Sequence, residues 1–155
     1  MVFDQDGKVG VRPLPELIAS IRKPADNADL FDCARGLSGQ WKLDAVKEVF
    51  HSTNERGGVL LLDLPEENPN YYMEAEITLG RPEATAAVVV RASESLEQGY
   101  RVVMQPAKKR VAICESAAEG GTFDESEHAF SGDKTVHLQV FVCNGFIEAF
   151  IDGCS

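Results

Sequence analysis

The closing stretch Gln139–Ser155, QVFVCNGFIEAFIDGCS, carries two apolar runs, Gln139 to Val142 and Phe146 to Ile151. Cys143-Asn144-Gly145 separates them, and Asp152-Gly153 follows the second. Asn and Gly tolerate the left-handed backbone that a tight turn between twisted strands demands, so Asn-Gly between two such runs is the strongest short-range signal for a β-hairpin. A hairpin whose far end is again a turn residue pair normally leads into a further strand, and the chain stops two residues later.

The same signature recurs upstream. In NYYMEAEITLG, residues 70–80, Tyr71, Met73, Ala75, Ile77 and Leu79 alternate with Tyr72, Glu74, Glu76 and Thr78. That is the period of a half-buried antiparallel strand with one solvated face. TVHLQVFV, residues 135–142, places Val136, Leu138, Val140 and Val142 on one side. GYRVVMQ and RVAICES flank PAKK (106–109), which predicts a hairpin with a basic tip. TAAVVVRAS (85–93) is continuously apolar and reads as a central strand covered on both faces. QWKLDAVKEVF (40–50) and GGVLLLDL (57–64) are further strand candidates. Within the first, Leu43, Val46, Val49 and Phe50 also fit a helical period, but the surrounding strands favour β. PELIASIRKP predicts one short helix from Pro15 to Arg22, with proline in the first turn and Pro24 as its stop. SAAEGGTFDESE (116–127) reads as an acidic, Gly-rich exposed loop. Many short strands between Gly, Pro and Asn turns, with one connector helix, describe an all-β antiparallel β-sandwich or barrel.

With 155 residues and 44% hydrophobic content, the chain can bury a core of its own. Its formal charge of −10 argues against nucleic acid or an anionic membrane as main partner, since both need a basic face, and leaves neutral ligands open. No apolar run has the length to cross a bilayer, and MVFDQDGKVG lacks the basic and apolar regions of a secretory signal. Cys33, Cys114, Cys143 and Cys154 show no regular spacing and are expected as free thiols, with Cys143 and Cys154 the pair best placed to oxidise. Free thiols without a leader favour a cytoplasmic location. His51, His128 and His137 are isolated and no C-x-x-C occurs, so neither a zinc site nor any other cofactor is expected.

DGKVGVRPLPELIASIR, residues 6–22, resembles the junction that follows the catalytic domain of glycoside hydrolase family 32, the invertases, levanases and fructosidases. Asp6, Gly7, Arg12, Pro13, Glu16, Leu17 and Arg22 stand at matching places of its D-G-x-L-x-x-R-P-x-x-E-L-x-x-L-R pattern. Residues 70–79, 86–113 and 136–153 are similar to the strands of that family's C-terminal sandwich, with Glu148 and Phe150 in register. The resemblance implies a concanavalin-like jelly roll over residues 28–155, preceded by a propeller-end remnant and linker helix over residues 1–27. It implies a β-propeller catalytic partner in a parent hydrolase, and a module inactive alone. The W-M-N-D-P-N, R-D-P and E-C motifs that carry the family's chemistry do not occur, and Cys114-Glu115 has the reverse order. The family's sandwich continues past the D-G turn, so this one is expected to be short at its C-terminal edge.

Among sharper candidates, Glu74 and Glu76 share one strand face about 7 Å apart. Glycosidases work with carboxylate pairs about 5 Å apart or wider, but a solvated strand face explains these two better. Sugar rings stack on aromatic faces while carboxylates and amides bond their hydroxyls, which makes Tyr72, beside Glu74 and Glu76, the best saccharide platform, followed by Tyr100 and Trp41. The acidic residues Asp124 to Glu127 offer oxygen ligands for calcium without any EF-hand spacing. Ser126 and His128 lack a nucleophile elbow and a third member. Arg91, on an apolar run, would need a carboxylate if buried, with Glu76 or Glu148 as candidates. A sandwich face rich in apolar side chains seeks a cover, which here would be the propeller; a homo-oligomer shaped by the module is a further partner to expect.

Overall fold

The computed structural model describes residues 2–3, 9–10, 16, 34–44, 46–47, 49–52, 58–62, 70–81, 83–93, 95–117, 119–130 and 135–153. By internal contacts the chain falls into two units, Met1–Ala19 together with Asn70–Ser155, and Ser20–Pro69. In chain order the strands are β1 (Val2–Phe3), β2 (Val9–Gly10), β3 (Ala34–Ser38), β4 (Trp41–Asp44), β5 (Val49–Ser52), β6 (Val59–Leu62) and β7 (Tyr71–Thr78). They continue with β8 (Ala86–Val90), β9 (Tyr100–Gln105), β10 (Arg110–Glu115), β11 (Thr122–Glu127), β12 (Thr135–Cys143) and β13 (Phe146–Ile151). Of the expected helix from Pro15 to Arg22 only Glu16 lies among the described residues, where it is helical and exposed.

The larger unit is the sandwich that the alternation predicts. One sheet has the order β11-β10-β9-β8 and the other β13-β12-β7, all pairs antiparallel. Val90, Val102, Met104 and Val111 from the first sheet meet Val136, Leu138, Val140, Val142 and Ile151 from the second in one buried cluster. Tyr71, Met73 and Ile77 of β7 pack against it, on the face predicted for them. Removing side chains of this size from water stabilises the fold by roughly 1.5–3 kcal/mol each. Burial raises the pKa of the Tyr71 hydroxyl above its ordinary value, while a hydrogen bond accepted from the Arg91 backbone and the Arg91 charge draw it partly back. β1 and β2 pair with each other in the same unit.

Both expected hairpins form. Cys143 pairs with Phe146, leaving Asn144-Gly145 as a two-residue loop in which Asn144 takes the left-handed φ of 49°. Its amide donates to Asn70 Oδ1 at 2.6 Å. The basic tip is a 3-10 turn, Pro106–Lys108, closed by Lys109 in the left-handed region at φ 48°. A second close approach falls in the loop after β8. There Gly99 has φ 129°, and a Cβ on it would lie 3.0 Å from Val90 O.

Three expectations for the larger unit are corrected. Among the described residues TAAVVVRAS is not a central strand: β8 stands at the edge of its sheet, and Ala87 is exposed. Its apolar continuity reflects small residues on the outward face rather than a cover. Arg91 lies beyond the end of β8, exposed and at φ 53°, so no buried guanidinium seeks Glu76 or Glu148. TFDESE is not a loop but the edge strand β11, exposed along its whole length. Charges along an unpaired edge oppose pairing with another chain, so an acidic strand is stable there.

The smaller unit contains two antiparallel ribbons, β3 with β6 and β4 with β5. QWKLDAVKEVF is β rather than helix, but it is a hairpin and not one strand. Asp44 Oδ1 accepts the amides of Val46 and Lys47, both at 3.2 Å, and turns the chain. β3 and β6 slip register between Gly36 and Ser38. Among the described residues no helix is long and apolar enough to cross a membrane.

Candidate functional site

The sheet β13-β12-β7 has a second face, directed away from the core. Register sets its rows: Tyr72 opposite Phe141 opposite Glu148, Glu74 opposite Gln139 opposite Phe150, and Glu76 opposite His137. Its centre is closed. Gln139 is 7% exposed, Phe141 8% and Phe150 2%. Phe141 and Phe150 meet edge-on at 5.8 Å between centroids, and Tyr72 tilts against Phe141 at 4.7 Å.

A buried primary amide is tolerated only when its hydrogens find acceptors. Gln139 Nε2 donates to the Tyr72 hydroxyl at 2.7 Å and to Glu74 Oε1 at 3.1 Å. His137 Nε2 lies 3.4 Å from the same Glu74 oxygen. Tyr72 and Glu74 therefore sit together, as the alternation predicts, yet Gln139 takes up both polar groups. Glu76 shares the face and is exposed. Tyr100 belongs to the opposite sheet, where its ring packs on the core side and tilts against Phe123 at 5.7 Å. Trp41 stands in the smaller unit, half-buried, with its Nε1 donating to Ser38 O at 3.0 Å. A Cβ on Gly58 would lie 2.9 Å from that Nε1, so glycine is required beside the indole.

At the end of this face Asp152 holds several elements at once. Its Oδ1 accepts the His137 amide at 2.9 Å, its own amide donates to His137 O at 2.8 Å, and its Oδ2 lies 3.3 Å from His128 Nε2. The sequence reading named Asp152 as a turn residue and missed this role. The signal was present in the strand period, because His137, Gln139 and Phe141 alternate with the core residues of β12. Asp152→Ala is expected to cost about 1 kcal/mol in urea unfolding, the net worth of such hydrogen bonds. Asp152→Asn, which keeps an acceptor for the His137 amide, should recover part of it. A curve for Asp152→Ala superimposable on the wild type would show that the clip contributes nothing.

The acidic residues Asp124 to Glu127 alternate between the two sides of β11 rather than converging. Among the described residues no group of three or more His, Cys, Asp or Glu side chains is placed to hold a metal ion. Cys114 and Cys143 are free thiols, and Cys33 and Cys154 lie outside the described residues.

Residues 40–154 match the family described as glycosyl hydrolases family 32 C terminal. The chain belongs to that family. The membership bears out the resemblance read from the junction and strand motifs, on residues downstream of the junction itself. Among curated proteins no sequence matches. The fold of this family 32 C-terminal domain is similar to that of the carbohydrate binding module CBM66 from Bacillus subtilis. That match has a TM-score of 0.64 at 14% identity and covers 78% of this chain and 74% of that one. At such identity the likeness is one of fold, and it agrees with the sandwich described above.

Proposed function

We propose that this family 32 C-terminal domain is a non-catalytic β-sandwich module that stabilises a catalytic β-propeller of a fructosidase- or sucrose-hydrolase-type enzyme. Residues 1–27 would serve as propeller-end segment and linker. The observation that carries the reading is the family match over residues 40–154. The outward face of β13-β12-β7 supports it. Glu74, the carboxylate beside the aromatic cluster, is engaged by Gln139 and His137, a structural use rather than that of an acid poised over a substrate.

The test compares the catalytic propeller with and without the module. Without it, the melting temperature of the propeller is expected to fall by several degrees, and this chain alone should release no hexose from sucrose. Turnover by the chain alone, or a propeller equally stable without it, would overturn the proposal.

A second reading, a lectin-like saccharide-binding module acting through Tyr72, Tyr100, Trp41, Glu74 and Glu76, is favoured by the fold similarity to a carbohydrate binding module. Glu74 and Glu76 are the exposed members of that set. Heat on titration with oligosaccharides, lost in Tyr72→Ala, would support it.

A further inference from the structure

The last strand, β13, lies between two dipeptides of the same reactive kind, Asn144-Gly145 before it and Asp152-Gly153 after it. In either, the glycine nitrogen can attack the side-chain carbonyl carbon of the residue before it, because glycine carries no Cβ to obstruct the approach. The structure separates the two. Asp152 is pinned: the His137 amide donates to its Oδ1 at 2.9 Å, His128 Nε2 lies 3.3 Å from its Oδ2, and its own amide donates to His137 O at 2.8 Å. The Asn144 side chain has a single long contact, from Nδ2 to Cys143 Sγ at 3.9 Å. Among the described residues nothing donates to its Oδ1, and no hydrogen bond holds the Gly145 amide. A Cβ built on Gly145 would meet nothing within 4 Å. Cys143, Asn144, Gly145 and Phe146 are all exposed, so packing does not resist opening of the tip. What ties the turn down is the Asn144 amide on Asn70 Oδ1 at 2.6 Å.

We infer that Asn144 is a site of spontaneous deamidation, a covalent modification whose one co-reactant is water. The Gly145 nitrogen loses its proton and forms a bond to Asn144 Cγ. The bond from Cγ to Nδ2 breaks, and the side-chain nitrogen leaves as ammonia, carrying that proton. Water then opens the five-membered succinimide at either carbonyl. Attack at the former side-chain carbonyl gives aspartate. Attack at the main-chain carbonyl gives isoaspartate, whose backbone runs through Cγ. Either product adds a negative charge to a chain whose formal charge is −10. Isoaspartate also lengthens the main chain of a two-residue loop that sets Cys143 opposite Phe146, so the register of β12 and β13 is strained where the hairpin closes. The same change pulls on the bond to Asn70, which holds this turn against the start of β7. The modification is independent of what the module binds or stabilises.

The full chain is incubated at mildly alkaline pH and digested, and its peptides are read by electron-transfer mass spectrometry, which distinguishes aspartate from isoaspartate. Conversion is expected first at Asn144, as both products. Asn27, Asn54, Asn68 and Asn70, none of which precedes glycine, should lag behind it, and Asp152 should stay unisomerised. Gly145→Val places a branched side chain in the path of the attacking nitrogen. The open space around Gly145, whose φ lies outside the left-handed region, accommodates that change. In this variant the loss of the Asn144 amide should fall to the level of the other asparagines, while the circular dichroism spectrum stays that of the wild type. An Asn144 that outlasts the other asparagines overturns the inference. So does conversion that proceeds as fast in Gly145→Val, or isomerisation at Asp152 that keeps pace with Asn144.

Discussion

Leu138→Ala is expected to lower the free energy of unfolding by about 2–5 kcal/mol, a large share of the 5–15 kcal/mol typical of a domain. Leu138 is fully buried in β12, between Ala75 of β7 and Ile151 of β13, and it faces the apolar side chains of the opposing sheet. Its loss removes transfer free energy and leaves a cavity. The surrounding strands are tied by ladder hydrogen bonds on both sides and cannot readily collapse into it. Urea unfolding followed by circular dichroism reads the change as a shifted midpoint with the same slope. A loss under about 1 kcal/mol would mean that the two sheets do not share this core.

Phe150→Ala carries an effect of similar size for a different reason, with an expected cost of about 3–5 kcal/mol. Phe150 neighbours Ile151 and so points away from the core, yet it is 2% exposed and meets Phe141 edge-on. On a solvated sheet face the same change would fall within about 0.5 kcal/mol. The variant therefore measures whether the second face of β13-β12-β7 is closed in solution. A near-neutral result would show it open, and would return Tyr72 to the pool of accessible sugar platforms.

How far the sequence reached is clearest on β7. The alternation from Tyr71 to Thr78 predicts both the strand and the face that Tyr71, Met73 and Ile77 present to the core. The Asn144-Gly145 turn and the basic tip at Pro106–Lys109 were equally legible, since each depends on a few adjacent residues with special backbone preferences. The helical period in KLDAVKEVF competed with the β context, and the arbiter was one side chain, Asp44, whose oxygen draws the backbone into a turn. β11 was hidden because polarity marks a loop and an exposed edge strand alike. β8 misled in the opposite sense, because Val and Ala suit a half-covered edge as well as a buried centre.

The candidate site was half legible. Tyr72, Glu74 and Glu76 were placed on one face by period alone. What engages them was not visible, because Gln139 lies 65 residues from Glu74 and 67 from Tyr72 along the chain. Nothing local distinguishes a glutamine that solvates itself from one that closes a sheet.

The sequence by itself determined the class of fold, the faces of β7 and β12 and the two hairpins at Pro106–Lys109 and Asn144-Gly145, because period and turn chemistry act over a few residues. Only the tertiary structure decided that β7 runs beside β12 and that, among the described residues, β8 and β11 form the edges of their sheet. It alone decided that Gln139, Phe141 and Phe150 are buried on the face that bears Tyr72. Those outcomes depend on which distant strands bury one another, and a side chain's polarity is the same whether water or another side chain satisfies it.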